Sequence, residues 1–359
     1  MSMKIIVSAG GTGGHIYPAL GIIDILKKYD KNLEVLYIGT HNRMEKDIIP
    51  ERKIKYIPIE IYGFNKKRIG TNIKNVFLIQ KAYKKCIKLM KEFKPDLVIG
   101  CGGYVTFPVI KAAQKCKIKT LLHEQNSFPG KSNIALAKNA TLVGASIEKS
   151  MDRFKNCKGK VFLMGNPCGQ RALDIKEIKK SDLGFDDKKP LVCAVAGSSG
   201  SVTVNKAFKD VIKKMGDKDY QFLYITGKKY YEEFIKGEKF PKNVKVMPYV
   251  DNFSGLLKNI DILVSRAGAS TISEVIALKV PTIFIPSPYV ANNHQYYNAL
   301  DIVNVNAGRM IEEKDFNSQK LFDEIDYVIK NNDAIKSNLS KIKTVDTEKV
   351  LIKEIKEII

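Results

Sequence analysis

The chain has 359 residues, 60 of them Lys or Arg against 38 Asp or Glu, for a formal net charge of +22, yet 44% of it is hydrophobic. That apolar share excludes a disordered polycation, and the length fits about two domains of ~100–200 residues each. The basic excess is 53 Lys to 7 Arg, a poor match to the bidentate phosphate and base recognition that favours Arg.

Six scattered Cys with no Cys-x-x-Cys pair, and no His at ligand spacing, speak against a disulfide framework or a structural metal site. Gly10-Gly11 cuts short the only apolar run near the N-terminus, and no stretch approaches the ~18–20 apolar residues of a membrane span. The expected compartment is the cytosol, and any membrane contact is expected to be peripheral.

In chain order, strands are predicted at 4–8, 34–38, 96–100, 120–123 and 140–143, with amphipathic stretches between most of them. A second set follows at 191–196, 222–226, 244–248, 260–264 and 282–285. Strands alternating with helical periods predict βαβ units around parallel sheets, one doubly wound α/β domain in each half. The boundary falls near Gly165-Asn166-Pro167, giving domains over 1–164 and 165–340. The segment 319–359 is helical in period and could cap either one.

Four glycine-rich turns each follow a predicted strand: Gly10-Gly11-Thr12-Gly13-Gly14, Gly102-Gly103, Gly197-Ser198-Ser199-Gly200-Ser201 and Arg266-Ala267-Gly268-Ala269-Ser270. Such a turn feeding a helix exposes backbone N–H groups and the positive end of a helix dipole, which favours an anion. Alternatively, each is only a tight turn. The dinucleotide fingerprint fails because Ile16 stands where its third Gly is required. A Walker A loop fails because Gln125 stands where its first Gly would precede Gly130-Lys131-Ser132. No nucleotide cofactor and no metal are expected. The only Asp-x-Asp spelling, Asp217-Lys218-Asp219, lies before a strand and reads as solvent-facing.

His15 directly follows the first loop and reads as a general base, or else as a solvent-facing residue at a helix start. His123-Glu124-Gln125-Asn126 ends a strand and reads as a polar tetrad at the active-site edge, one or two of whose members could cap the next helix. Glu274 is placed on the first turn after Gly268, as a ribose-binding carboxylate or as the acid of a capping box with Ser270 or Thr271. Asn292-Asn293-His294-Gln295 offers uncharged groups suited to sugar hydroxyls.

Taken in order, the first loop continuing as His15-Ile16-Tyr17-Pro18-Ala19-Leu20, Gly102-Gly103-Tyr104-Val105, the 123–126 tetrad, Gly165-Asn166-Pro167, Arg266 to Glu274 and 292–295 closely resemble the MurG family. Its members add N-acetylglucosamine from UDP-N-acetylglucosamine to a lipid-linked muramoyl-pentapeptide in peptidoglycan synthesis. The resemblance spans nearly the whole chain. It implies a GT-B architecture of two Rossmann-like domains facing a cleft, with the C-terminal helix, about 341–359, packed back on the first domain. It further implies that Ser198, Val250, Gly268, Ala269, Ser270, Thr271, Ile272, Ser273, Glu274 and Gln295 bind the UDP sugar. In the first domain, Thr12, Gly13, Gly14 and Asn126 match donor-contacting positions, with His15 as the base and Glu124 the runner-up. Family members place Arg at or just after the Gly-Asn-Pro; here Cys168-Gly169-Gln170 intervene and Arg171 is the candidate for that contact. Another GT-B UDP-sugar enzyme, a glycolipid transferase or an epimerase, would share the second-domain motifs.

Between Tyr62 and Lys94 stand ten Lys or Arg and one acid, Glu92, with Val76, Ile79, Tyr83, Ile87, Met90 and Phe93 at helical spacing. Most of those apolar residues are expected to face the core. The basic face beside Tyr62 and Phe64 is expected to bind an anionic, cytoplasmic membrane surface. No nucleic-acid partner is expected, since clustered Arg and recognition motifs are missing.

Overall fold

The computed structural model describes residues 2–63, 69–195 and 200–359, the side chains of residues 69–71 and 291 excepted. Its contacts divide the chain into two compact units, Met1–Cys168 with Val345–Ile359, and Gly169–Thr344.

The first unit is built on seven parallel strands: β1 (Lys4–Ser8), β2 (Glu34–Thr40), β3 (Lys55–Ile59), β4 (Leu97–Gly100), β5 (Lys119–Glu124), β6 (Leu142–Ala145) and β7 (Lys160–Leu163). Their order is 3-2-1-4-5-6-7. Strand side chains alternate between faces, so Ile5 and Val7 enter one core with Ile16, Leu20 and Ile23 of the helix Gly13–Tyr29. Ile6 enters the opposite core, beneath Met90 and Val109 of the helices Ile69–Phe93 and Thr106–Lys115. The final helix, Thr347–Lys356, buries Leu351 and Ile355 in the first of these cores, and Lys160 on β7 pairs with its Glu354 at 2.6 Å. The segment 319–359 is thus shared: its first two helices, Ser318–Lys330 and Asn332–Lys341, lie in the second unit.

The second unit carries β8 (Leu191–Val195), β9 (Gln221–Ile225), β10 (Val244–Met247), β11 (Ile262–Ser265), β12 (Thr282–Phe284) and β13 (Arg309–Met310), all parallel in the order 10-9-8-11-12-13. Its core includes Phe208 stacked on Tyr224 with ring centroids 4.6 Å apart.

The chain therefore has the expected α/β class with two doubly wound parallel sheets. The strand expected at 140–143 lies two residues later, and β3, β7 and β13 were not predicted. All three are sheet edges, half-exposed and without a continuous apolar run. β3 even contains Pro58, which lacks the N–H a central strand would need. Among the described residues no helix is long and apolar enough to cross a membrane.

Strand order reverses between β1 and β4 in the first sheet and between β8 and β11 in the second. The glycine-rich turns after β1, β4 and β11 thus sit at topological switch points, where open α/β sheets bind ligands at the carboxyl edge, whereas residues 196–199 after β8 lie outside the described residues.

Candidate functional site

In the first unit Thr12 is the exposed, extended residue before the helix Gly13–Tyr29; Gly13 is buried, Gly14 exposed and His15 half-buried on the first turn. His15 Nδ1 lies 3.2 Å from the Gly10 carbonyl oxygen and 3.4 Å from Thr12 Oγ1. A carbonyl can only accept, so Nδ1 carries the proton and Nε2 is the lone-pair nitrogen of the neutral ring. The β4 turn packs directly against this arrangement. Gly102 has φ +99°, and a Cβ there would sit 2.7 Å from His15 Cδ2; a Cβ on Gly103, at φ +85°, would collide with the Gly10 carbonyl oxygen. Both positions require glycine, for backbone angle and for space.

The 123–126 tetrad, read as an active-site edge, closes the central strand β5 and is mostly buried. His123, Glu124 and Gln125 are buried, leaving only Asn126 half-buried. His123 Nε2 contacts the Gly165 carbonyl and Ser146 Oγ at 3.0 Å each, while burial lowers its pKa to about 4. Glu124 accepts from the Asn126 N–H and Nδ2 through one oxygen, and from the Gly130 N–H and Asn133 Nδ2 through the other, at 2.8–3.1 Å. Four donors commit this carboxylate to shaping the 126–133 loop. The following helix begins after Gly130, whose N–H is one of the donors that Glu124 holds.

In the second unit the helix Ala269–Leu278 begins after Gly268, which has extended backbone and no side-chain cap bond. Ser270, Thr271, Ile272 and Ser273 therefore lie inside the helix, and the capping-box alternative for Glu274 does not hold. Glu274 sits on the second turn, not the first, and accepts from Ser254 Oγ at 2.6 Å. Poor solvation pushes its carboxyl up to about 7; the Ser254 bond and the Arg171 guanidinium both pull the other way. Arg171 lies on the helix Pro167–Asp174, which Gly169 brings against this one: a Cβ on Gly169 would lie 2.8 Å from the Ser273 carbonyl oxygen. Arg171, Glu274 and the amides of the 268–273 turn thus converge. The turn itself is pinned by Arg266, paired with Glu313 at 2.6 Å and donating to the Ile285 carbonyl, and by Asn298 Nδ2 on the Ala267 carbonyl.

Gln295 stands on the first turn of the helix His294–Val303, after two left-handed residues, Asn292 and Asn293, and its Oε1 accepts from the Ser287 N–H at 2.9 Å. The Val250 side chain is buried in the core, so that residue offers a ligand only its main chain. Ser198 lies outside the described residues, as do Phe64, Lys66, Lys67 and Arg68 of the expected membrane patch. Within the described part of that patch, Met90 is buried and Ile79, Tyr83, Ile87 and Phe93 pack on the core, while Val76 points out beside Ile73 and Phe77, 59% and 71% exposed.

Four residues escaped the sequence reading: Glu45, which contacts the first glycine loop, Asn133 under Glu124, Ser254 on Glu274, and Glu313 on Arg266. Each is remote in sequence from what it holds, and no local pattern marks it.

Residues 5–145 match the glycosyltransferase family 28 N-terminal domain and residues 191–355 its C-terminal domain. A Bacillus pumilus UDP-N-acetylglucosamine--N-acetylmuramyl-(pentapeptide) pyrophosphoryl-undecaprenol N-acetylglucosamine transferase is 41% identical over 337 residues, covering 93% of this chain and 92% of that one. A transferase of the same name from a Thermoanaerobacter species is 38% identical and covers 99% of this chain and all of the relative. Among solved structures, Acinetobacter baumannii MurG superposes with a TM-score of 0.77 at 22% identity, covering 99% of this chain and all of that one. A UDP-GlcNAc 2-epimerase from Neisseria meningitidis, bound to UDP-GlcNAc, gives 0.69 at 15% over 99% of this chain and all of that one. These two likenesses concern the fold, which is GT-B.

Proposed function

The chain belongs to glycosyltransferase family 28 as an N-acetylglucosaminyltransferase of peptidoglycan synthesis, and from that membership we propose a single-displacement mechanism with His15 as its base. The donor is UDP-N-acetylglucosamine and the acceptor the 4-hydroxyl of the undecaprenyl-pyrophosphoryl-N-acetylmuramoyl-pentapeptide. His15 Nε2 takes the hydroxyl proton, the oxygen attacks the anomeric carbon from the face opposite UDP, and UDP departs with the electron pair of the broken bond. The anomeric configuration inverts. The observation that carries the assignment is the Nδ1 contact to Gly10, which leaves the basic nitrogen on the other side of the ring. Glu124 is the weaker candidate because its lone pairs already serve four loop donors.

The second unit binds the UDP sugar in this reading, and the first takes the acceptor. Charge developing on the leaving diphosphate meets the N–H groups and dipole of the helix beginning at Ala269, with Ser270 and Thr271 on its first turn. Glu274 accepts from the ribose hydroxyls, and Gln295 Nε2 reaches the sugar. Arg171 takes the place of the arginine that family members carry nearer the Gly-Asn-Pro, which its position beside Glu274 supports.

Peripheral binding at the cytoplasmic membrane surface is assigned to the helix Ile69–Phe93, where Ile73, Val76 and Phe77 stand exposed beside Lys74 and Lys81. Each surface Lys adds about 1 kcal/mol of attraction to an anionic leaflet. The mechanistic test is His15→Ala. Turnover should fall by roughly 10²-fold or more, the share a general base supplies, with UDP binding unchanged. Near-wild-type turnover would remove His15 from the role.

A further inference from the structure

We infer that Glu45 is a positioning residue for His15, acting through the single peptide group between Gly10 and Gly11. This rests on the reading of His15 as the base. Glu45 is the first residue of the helix Glu45–Glu51 and is fully buried. One carboxylate oxygen accepts from the Thr40 N–H at 3.0 Å and Thr40 Oγ1 at 2.6 Å, which anchors it to the end of β2. The other accepts the Gly11 N–H at 3.2 Å. The carbonyl of that same peptide group, Gly10 C=O, accepts from His15 Nδ1 at 3.2 Å. The two contacts therefore share one planar amide: carboxylate, N–H, C=O, imidazole N–H.

A buried anion on the N–H side polarises the amide and makes its carbonyl a better acceptor, because hydrogen bonds in series strengthen one another. The Gly10 oxygen then holds the proton on Nδ1 and steadies the imidazolium that forms when Nε2 takes the acceptor's proton. An Asp bonded directly to a catalytic His serves those purposes in hydrolases; here the carboxylate stands one peptide group further back. Three glycines fit this reading. A Cβ on Gly10 would strike Glu45, one on Gly102 the His15 ring, and one on Gly103 the relaying oxygen.

The groups around this corner leave Glu45 as its buried negative charge. Tyr37 and Tyr56 lie behind it, their phenols pushed up by burial and by the Glu45 charge, and the Cys101 thiol is likewise raised by burial. The Tyr104 ring lies beside Gly11, with Tyr62, His41 and Glu60 beyond it.

The test combines a mutant cycle with spectroscopy. Glu45→Gln keeps an acceptor for Thr40 but offers an N–H where Gly11 needs an oxygen. The expected result is a fall in kcat of roughly 10-fold or more, within the ~10²–10⁴ of general-base catalysis, with the KM for UDP-N-acetylglucosamine little changed. The acid limb of the kcat profile should move to lower pH, and Glu45→Gln should cost nothing further in a His15→Ala background. Thr40→Val, which removes only the anchoring hydroxyl bond, should lower the Tm and leave the pH profile in place. Losses that add to those of His15→Ala, or an unmoved acid limb, would overturn the relay while sparing His15. Retained turnover in His15→Ala would overturn both. Should Glu45→Gln fail to fold, ¹⁵N-histidine NMR of the wild-type chain decides, its four His making assignment tractable: His15 protonated on Nδ1 in its neutral form supports the relay, and protonation on Nε2 overturns it.

Discussion

Gly102→Ala is the substitution that separates fold from chemistry most cleanly in the first unit. Gly102 has φ +99°, and its added methyl would sit 2.7 Å from His15 Cδ2 and 3.0 Å from Nε2, contacts that only movement of the ring or of the turn can relieve. Backbone strain of this kind costs about 1–3 kcal/mol. At about 2–4 °C per kcal/mol for units of this size, the Tm should drop by about 2–12 °C. The chemical effect should be larger than the stability effect. A ring pushed off the Gly10 carbonyl loses its orientation, and misplacement by about 1 Å can cost on the order of 10²-fold in rate. UDP release measured at saturating donor and acceptor gives kcat, and calorimetric titration with UDP gives the affinity of the second unit, which should be unchanged. A folded Gly102→Ala protein with wild-type kcat would refute the view that His15 must lie flat against this turn.

Three further outcomes follow from the geometry. Glu274 has a folded pKa raised to about 7 from 4.5, so its neutral form is favoured on folding; its contribution to stability is best below about pH 4.5 and declines as pH rises to about 7. Glu274→Gln should therefore stabilise the second unit at pH 8 by on the order of 1–3 kcal/mol while weakening UDP binding, whereas a loss of stability at pH 8 would contradict the burial argument. Glu124→Gln places an NH2 donor against two of the four donors and should lower kcat by disordering the 126–133 loop, but the acid limb of its pH profile should stay; a vanished limb would make Glu124 the base. Phe77→Ser removes a 71% exposed ring worth about 1.5–3 kcal/mol if buried in lipid and should cut binding to anionic liposomes by roughly 10-fold or more in flotation, with unaltered binding counting against this helix as the contact.

The central strands were legible because they are buried on both faces and read as apolar runs, as in Lys4–Ser8 and Leu191–Val195. The edges β3, β7 and β13 were not, because half-exposed strands tolerate Lys55, Pro58 and Lys160. At the site, spacing exposed the glycine turns and His15 but not what holds them. Glu45 reads as one of two acids opening a polar helix, and only the fold turns it inward and Asp47 outward. For His123 and Glu124 the sequence marked a polar tetrad at a strand end but not its burial: β5 is a central strand whose last residues stay inside and find partners at Gly165, Ser146 and Asn133. Ser270 and Glu274 looked like a cap until Gly268, not a hydroxyl residue, proved to start the helix.

The most direct test of the account is UDP release from UDP-N-acetylglucosamine with and without the undecaprenyl-pyrophosphoryl-N-acetylmuramoyl-pentapeptide. Stoichiometric release and N-acetylglucosamine transfer only when that acceptor is present are the predicted result. Release at the same rate without it, or conversion of the donor sugar with no acceptor consumed, would contradict the account.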